Sequence, residues 1–154
     1  MEIENIMSKP VITCHAHETL NDAAERMWNH DCGALAVLDA NDRIVGIITD
    51  RDICMAAYTQ GGPLPDLHVE SAMAKMVFAC DAKDSIETVE QLMRDKQIRR
   101  IPIVNSDKSP VGMVTLSDLA RHVSSGRKSN SVDRQVTQTL AEVCEPRNHD
   151  RASV

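Results

Sequence analysis

The chain has 154 residues, a formal net charge of −6, 42% apolar residues and only 2% aromatic ones, so it can bury roughly 70% of its unfolded surface in an aliphatic core without disulfide or metal staples. Its acidic balance excludes the ordinary duplex binder, which neutralises many phosphates with Lys and Arg, and the scarcity of aromatic rings removes the stacking platform that single strands need. Five cysteines in an odd set without C-x-x-C spacing, an acidic start "MEIENIMSKP" and no apolar run near the roughly 18 residues of a membrane span predict a cytoplasmic protein with free thiols and no membrane segment.

In chain order, "PVITC" reads as a short strand and Thr19 as the N-cap of a helix whose apolar positions Leu20, Ala23, Ala24, Met27 and Trp28 share one face. "ALAVL" and "IVGIIT" follow as strands joined by the turn "DANDR", and their unbroken aliphatic runs predict a sheet covered on both faces. A second helix starts near Asp52, and "QGGPLPDLH" marks a linker by its glycines and prolines. The series then returns: "MVFAC", a helix capped by Ser85 with Ile86, Val89, Leu92 and Met93 inward, "IPIV", the turn "NSDKS", "VGMVT" and a helix near Asp118. Beyond Val123 the polar "SSGRKSNS" leads to Val132, Val136, Leu140 and Val143 at helical spacing, a short amphipathic helix capped by Ser131 with Asp133 in its first turn. Its apolar stripe is expected to pack on its own domain or on a twin subunit. The organisation is therefore residues 1–60, a linker over 61–68, residues 69–123 and a tail over 124–154.

Sliding the sequence by 66 without a gap pairs Met7 with Met73, Cys14 with Cys80, Met27 with Met93, Gly46 with Gly112, Thr49 with Thr115 and Asp52 with Asp118. The chain is an internal repeat, β-α-β-β-α twice. In each copy a Thr at a strand end precedes an Asp by three residues. That spacing suits a helix cap, the hydroxyl facing free N–H groups and the carboxylate favoured by the helix dipole. The same geometry suits a nucleotide, since a helix N-terminus offers donors to phosphate and a neighbouring carboxylate accepts ribose hydroxyls. "QIRRIPIV" adds Arg99 and Arg100, consecutive on a strand and so directed to opposite faces.

"GIITDRDI", "GMVTLSDL", "IRRIPIV" and the gapless repeat together resemble a tandem pair of CBS domains, the Bateman module, over roughly residues 5 to 123, and the layout is similar to small stand-alone bacterial CBS-pair proteins of the hypoxic-response type. The resemblance implies an α/β fold of two β-α-β-β-α repeats packed about a pseudo-twofold axis, with the short C-terminal helix appended. It also implies two clefts for an adenosyl ligand, with AMP first and ATP, ADP, NAD or S-adenosylmethionine as other candidates. A homodimer that signals to an unknown protein target is the implied working form, with no reaction of its own.

Carried over by position, one cleft would place Asp118 on the ribose, Thr115 and Ser117 near the phosphate, Arg99 or Arg100 as counter-charge, and Ile12, Thr13, Cys32, Gly33 and Ala34 around the adenine. The other would use Asp52, Thr49 and Arg51, with Phe78, Ala79 and Ile98 around the base. The copies differ where charge matters: Arg99 and Arg100 face Gly33 and Ala34 in the alignment, and Arg51 faces Ser117. Two unequal clefts are expected, with Asp118 the favoured one.

"CHAH", at Cys14, His15 and His17, lacks the further ligands a zinc site requires and the base and oxyanion site a nucleophile requires, so neither a metal nor a catalytic residue is expected. P-loop and G-x-G-x-x-G motifs are missing as well. The alternative to a nucleotide sensor is a redox-responsive or scaffold adaptor that keeps the fold with little nucleotide affinity.

Overall fold

The computed structural model of the chain describes residues 3–124 and 130–144, and the side chains of 3–122 and 134–144. The first repeat runs β1 (Thr13–His15), α1 (Leu20–Asn29), β2 (Ala34–Leu38), β3 (Ile44–Thr49) and α2 (Asp50–Gln60). The second runs β4 (Cys80–Asp81), α3 (Ile86–Lys96), β5 (Arg100–Val104), β6 (Pro110–Thr115) and α4 (Leu116–Ser124), and α5 (Asn130–Val143) follows. Each repeat builds a three-stranded sheet in which its first strand pairs parallel, and its third antiparallel, to the central strand. Burial follows the aliphatic runs: every residue of β2 and β5 after the first is buried. The opening strands are shorter than "PVITC" and "MVFAC" suggest, because only Thr13–His15 and Cys80–Asp81 find a partner in the sheet.

Helix starts obey local chemistry. Thr19 closes a capping box with Asp22, and Ser85 accepts from Thr88 N at the head of α3. Gly61 ends α2 in the left-handed conformation, which glycine adopts without a Cβ penalty. Trp28, grouped above with the inward face of α1, is 85% exposed, so that face is made by buried Leu20, Ala23 and Met27 with half-buried Ala24 packed beside them.

Among the described residues two hydrophobic clusters form the interior, and each borrows a segment from the other half of the chain. Ile3, fully buried, belongs to the cluster of Ile86, Met93, Ile101 and Leu119, whereas Val69, also fully buried, belongs to the cluster of Leu20, Leu35 and Ile48. The borrowing is reciprocal: Ser8 bridges to Met113 in β6, and Ala74 bridges to Ile47 in β3. Met7 lies over Gly112 and Met73 over Gly46 so closely that a Cβ at Gly46 would stand 2.6 Å from Met73 Sδ. The two glycines of the repeated motif are thus seats for thioethers arriving from the opposite copy. This crossing locks the halves together, and a backbone bond from Ile44 N to Lys108 O (3.1 Å) joins the two hairpins.

The tail helix begins at Asn130 and lays Val136 and Val143, both buried, with Leu140, against the second repeat. Packing on its own domain is therefore the outcome for this stripe. The side chains of Ser131, Val132 and Asp133, assigned above to its cap and first turn, lie outside the described residues.

Candidate functional site at the repeat seam

Both Thr-x-x-Asp motifs form the same box. Asp52 Oδ2 accepts from Thr49 N (2.8 Å) and Thr49 Oγ1 (2.7 Å), and Asp52 N donates to Thr49 Oγ1 (3.2 Å). Asp118 Oδ2 accepts from Thr115 N and Thr115 Oγ1 at the same distances, and Asp118 N donates to Thr115 Oγ1 at 3.2 Å. One carboxylate oxygen in each copy is therefore committed to the helix start.

The second oxygen separates the copies. Asp118 Oδ1 accepts from Ser8 Oγ at 2.9 Å and pairs with the Arg121 guanidinium, and Asp118 is only 4% exposed. Asp52 Oδ1 has no partner among the described residues, and Asp52 is half-buried. The cause lies in two substitutions between the copies: Ala74 stands at the position equivalent to Ser8, and Met55 at that equivalent to Arg121. These four residues escaped the sequence reading, although the 66-residue offset already aligned them.

Around the helix starts, Ala34 pairs with Thr49 and Arg100 with Thr115 in register. Gly33 O accepts from Asp50 N (3.3 Å) and Arg99 O from Leu116 N (3.1 Å), so residues 33 and 99 lie directly beside the helix N-termini. Across the seam, Arg100 reaches the first repeat: a Cβ on Gly33 would stand 3.0 Å from Arg100 Nη2 and 3.1 Å from Asp50 Oδ2. Two residues assigned to the Asp118 cleft, Arg100 and Gly33, thus meet, but they meet at the N-terminus of α2.

Ile12 O accepts from Ala36 N (3.2 Å), and Thr13 pairs with Ala36 in β1. Cys32, Ala79 and Ile98 are half-buried, and Ser117, Arg51 and Arg99 are exposed. Phe78 carries Lys96 Nζ 5.0 Å above its ring, a cation-π contact on the rim. The guanidinium groups of Arg51, Arg99 and Arg100 form no close ion pair with the described residues, although Arg100 stands beside the Asp50 carboxylate at Gly33.

The paired thiols are chemically quiet. Burial, reinforced by the Glu18 carboxylate and opposed by Arg26, pushes Cys14 up to about 12, and burial with Asp84 pushes Cys80 up to about 11. His15 N donates to Glu18 Oε2, and no three His, Cys, Asp or Glu groups gather for a metal among the described residues. No described helix is long and apolar enough to cross a membrane.

The pattern that defines the CBS domain matches residues 3–58 and again 69–125. The chain belongs to the CBS-domain family and carries a tandem pair, a regulatory module built on the α/β fold described above. It is 33% identical over 143 residues to Hypoxic response protein 1 of Mycobacterium tuberculosis, covering 92% of this chain and 93% of that one. Among solved structures it resembles the CBS domain pair of protein MJ0100 in complex with 5′-methylthioadenosine and S-adenosyl-L-methionine (TM-score 0.75, 27% identity, 82% of this chain and 98% of that one). It also resembles Hypoxic Response Protein I with two coordinated zinc ions (TM-score 0.71, 34% identity, 79% and 98%).

Proposed function

We propose that this CBS pair is an adenosyl-ligand sensor whose working cleft is the one at Asp52. The observation that carries the reading is the uncommitted Oδ1 of Asp52 at the N-terminus of α2, against the fully engaged carboxylate of Asp118. In this reading Asp52 accepts the ribose hydroxyls and Thr49 holds Asp52 in place. The Arg51 and Arg100 guanidinium groups take the phosphate, and Phe78, Ala79 and Ile98 flank the base. Thr115, Ser117 and Asp118, with Arg99 and with Ile12, Thr13 and Cys32 opposite, form the second, closed cleft, while Gly33 and Ala34 stand beside the start of α2.

The ligand is defined by its adenosyl group, which the compounds named in the MJ0100 complex share. AMP is the first to test, before ADP, ATP, NAD and S-adenosylmethionine. The module acts as a cytoplasmic homodimer that passes its loading state to a protein target, and it performs no reaction. For that, the ligand must bind one arrangement of the subunits better than the other. The redox-responsive alternative draws no support from Cys14 and Cys80, whose thiols are held protonated by burial.

Titration calorimetry tests the reading. AMP or a related adenosyl compound is expected to bind the wild type and the Asp118→Ala variant, and to lose binding with Asp52→Ala. Absence of heat with every adenosyl compound overturns it.

A further inference from the structure

The first turn of α2 carries a carboxylate, Asp50, beyond the motif Asp52, whereas the first turn of α4 carries Asp118 alone. The 66-residue offset sets Asp50 against Leu116, Arg51 against Ser117 and Gly33 against Arg99, so this extra charge belongs to one cleft only. Where Gly33 leaves no side chain, two groups from different repeats close in: a Cβ there would stand 3.0 Å from Arg100 Nη2 and 3.1 Å from Asp50 Oδ2. They share the gap without a close ion pair. Asp50 Oδ1 accepts from Arg51 N at 2.8 Å, which fixes the carboxylate at the head of the helix.

A phosphate held by Arg51 and Arg100 therefore lies beside a fixed like charge. Of the other cations near the seam, Arg99 is exposed beside the start of α4, where its carbonyl accepts from Leu116 N, and Lys96 Nζ lies over the Phe78 ring. Two guanidinium groups set against the Asp50 carboxylate leave an excess of one cation. A single phosphate uses that excess, and each further phosphate adds repulsion from Asp50 without a new guanidinium to meet it. Asp50 and Arg51 are exposed, so water and salt screen the effect to a modest size.

We propose that Asp50 sets the phosphate number at the Asp52 cleft, selecting an adenosyl ligand with at most one phosphate over the di- and triphosphates. The inference rests on the Asp52 cleft proposed above. With the ribose on Asp52, the 5′ substituent runs past Arg51 towards the gap at Gly33, where Arg100 attracts it and Asp50 limits its charge. A ligand whose 5′ position is uncharged is indifferent to Asp50. Discrimination here works by repulsion of the wrong ligand rather than by a new contact to the right one.

Asp50→Asn tests it, because Asn removes the charge and keeps an oxygen for Arg51 N. The full-length protein and the variant are titrated by calorimetry with adenosine, AMP and ATP, at low ionic strength and with a chelator present so that ATP carries its full charge. The wild type is expected to bind AMP about fivefold more tightly than ATP. Asp50→Asn should leave adenosine unchanged, tighten AMP by about twofold and tighten ATP by about fivefold. In about 1 M salt the two proteins should no longer differ. Equal affinity of the wild type for AMP and ATP, or a change on Asp50→Asn that is as large for adenosine as for ATP, overturns the proposal and leaves the Asp52 cleft standing. Absence of heat with all three compounds in both proteins, or binding that survives Asp52→Ala, overturns the cleft reading and this inference with it. A circular dichroism spectrum unchanged in each variant establishes that the fold survives.

Discussion

Ser8 Oγ donates to Asp118 Oδ1 at 2.9 Å, a bond between residues 110 positions apart, and its counterpart at Asp52 is missing because Ala74 occupies the equivalent position. Arg121 and Met55 repeat the contrast one helical turn past each carboxylate. Two substitutions thus turn one of two duplicated sites into a tie between the N-terminal segment and α4. Removing the tie should reopen the site: Ser8→Ala with Arg121→Met, made in an Asp52→Ala background, is expected to restore adenosyl binding through Asp118. Calorimetry checks this, and the same background without the two changes should bind nothing.

The two carboxylates should also differ in stability. Asp118→Asn weakens three partners of a buried group, Thr115, Ser8 and Arg121, and is expected to cost about 1–3 kcal/mol. Asp52→Asn disturbs only the cap on α2 and should cost about 1 kcal/mol or less. Urea unfolding at neutral pH measures both, and equal losses would contradict the asymmetry.

The crossed methionines make a prediction of coupling. Gly112→Ala drives a methyl group into Met7, and the strain of overpacking is typically about 1–3 kcal/mol. Trimming the opposing side chain should relieve it, so Gly112→Ala with Met7→Ala is expected to be less destabilised than the sum of the single changes. A double-mutant cycle gives the coupling energy directly. A sum without coupling would mean that Met7 rests elsewhere.

Much of this architecture is legible in the sequence, because capping residues and aliphatic runs act locally. Thr19, Ser85, Thr49 and Thr115 announce helix starts from their own side chains, and the offset of 66 announces two equal halves. What the sequence hides is non-local. Ile3 and Val69 are each followed by the strands and helices of their own copy, and nothing along the chain says that each packs in the other's core. The occupation of Asp118 is hidden for the same reason, since Ser8 is remote and Arg121 reads as an ordinary exposed helix residue. Trp28 misleads in the opposite sense: its spacing fits the inward stripe, yet it lies on the edge that the second copy gives to Arg94.

Thiol labelling separates sensor from redox adaptor. Cys14 and Cys80 are buried and held as thiols, whereas Cys54 and Cys144 are exposed. Iodoacetamide at pH 8 should modify Cys54 and Cys144 in the native protein and reach Cys14 and Cys80 only after unfolding. Rapid native labelling of Cys14 or Cys80, read by peptide mass spectrometry, would revive the redox reading.

Two glutamates should shape the pH dependence of stability in opposite windows. Glu90 in α3 is buried with Oε1 unpartnered, and burial, reinforced by Glu87 and opposed by Arg94, raises its pKa above the ordinary 4.5. The folded state then holds a proton that the unfolded chain has already released, so stability falls as pH rises from 4.5 through the raised value and is flat beyond it. Glu18 behaves in the reverse sense: its hydrogen bond to Arg26 holds its pKa down to about 2, so the unfolded chain takes up the proton first and stability falls as pH drops from 4.5 towards 2. Glu90→Gln should therefore flatten the profile above pH 4.5 and raise stability at neutral pH, while Glu18→Gln should lower stability at neutral pH and flatten the profile below 4.5. Urea midpoints from pH 3 to 8 distinguish the two, and a Glu90→Gln protein no more stable than wild type at pH 7 would show that α3 and α5 leave that carboxylate solvated.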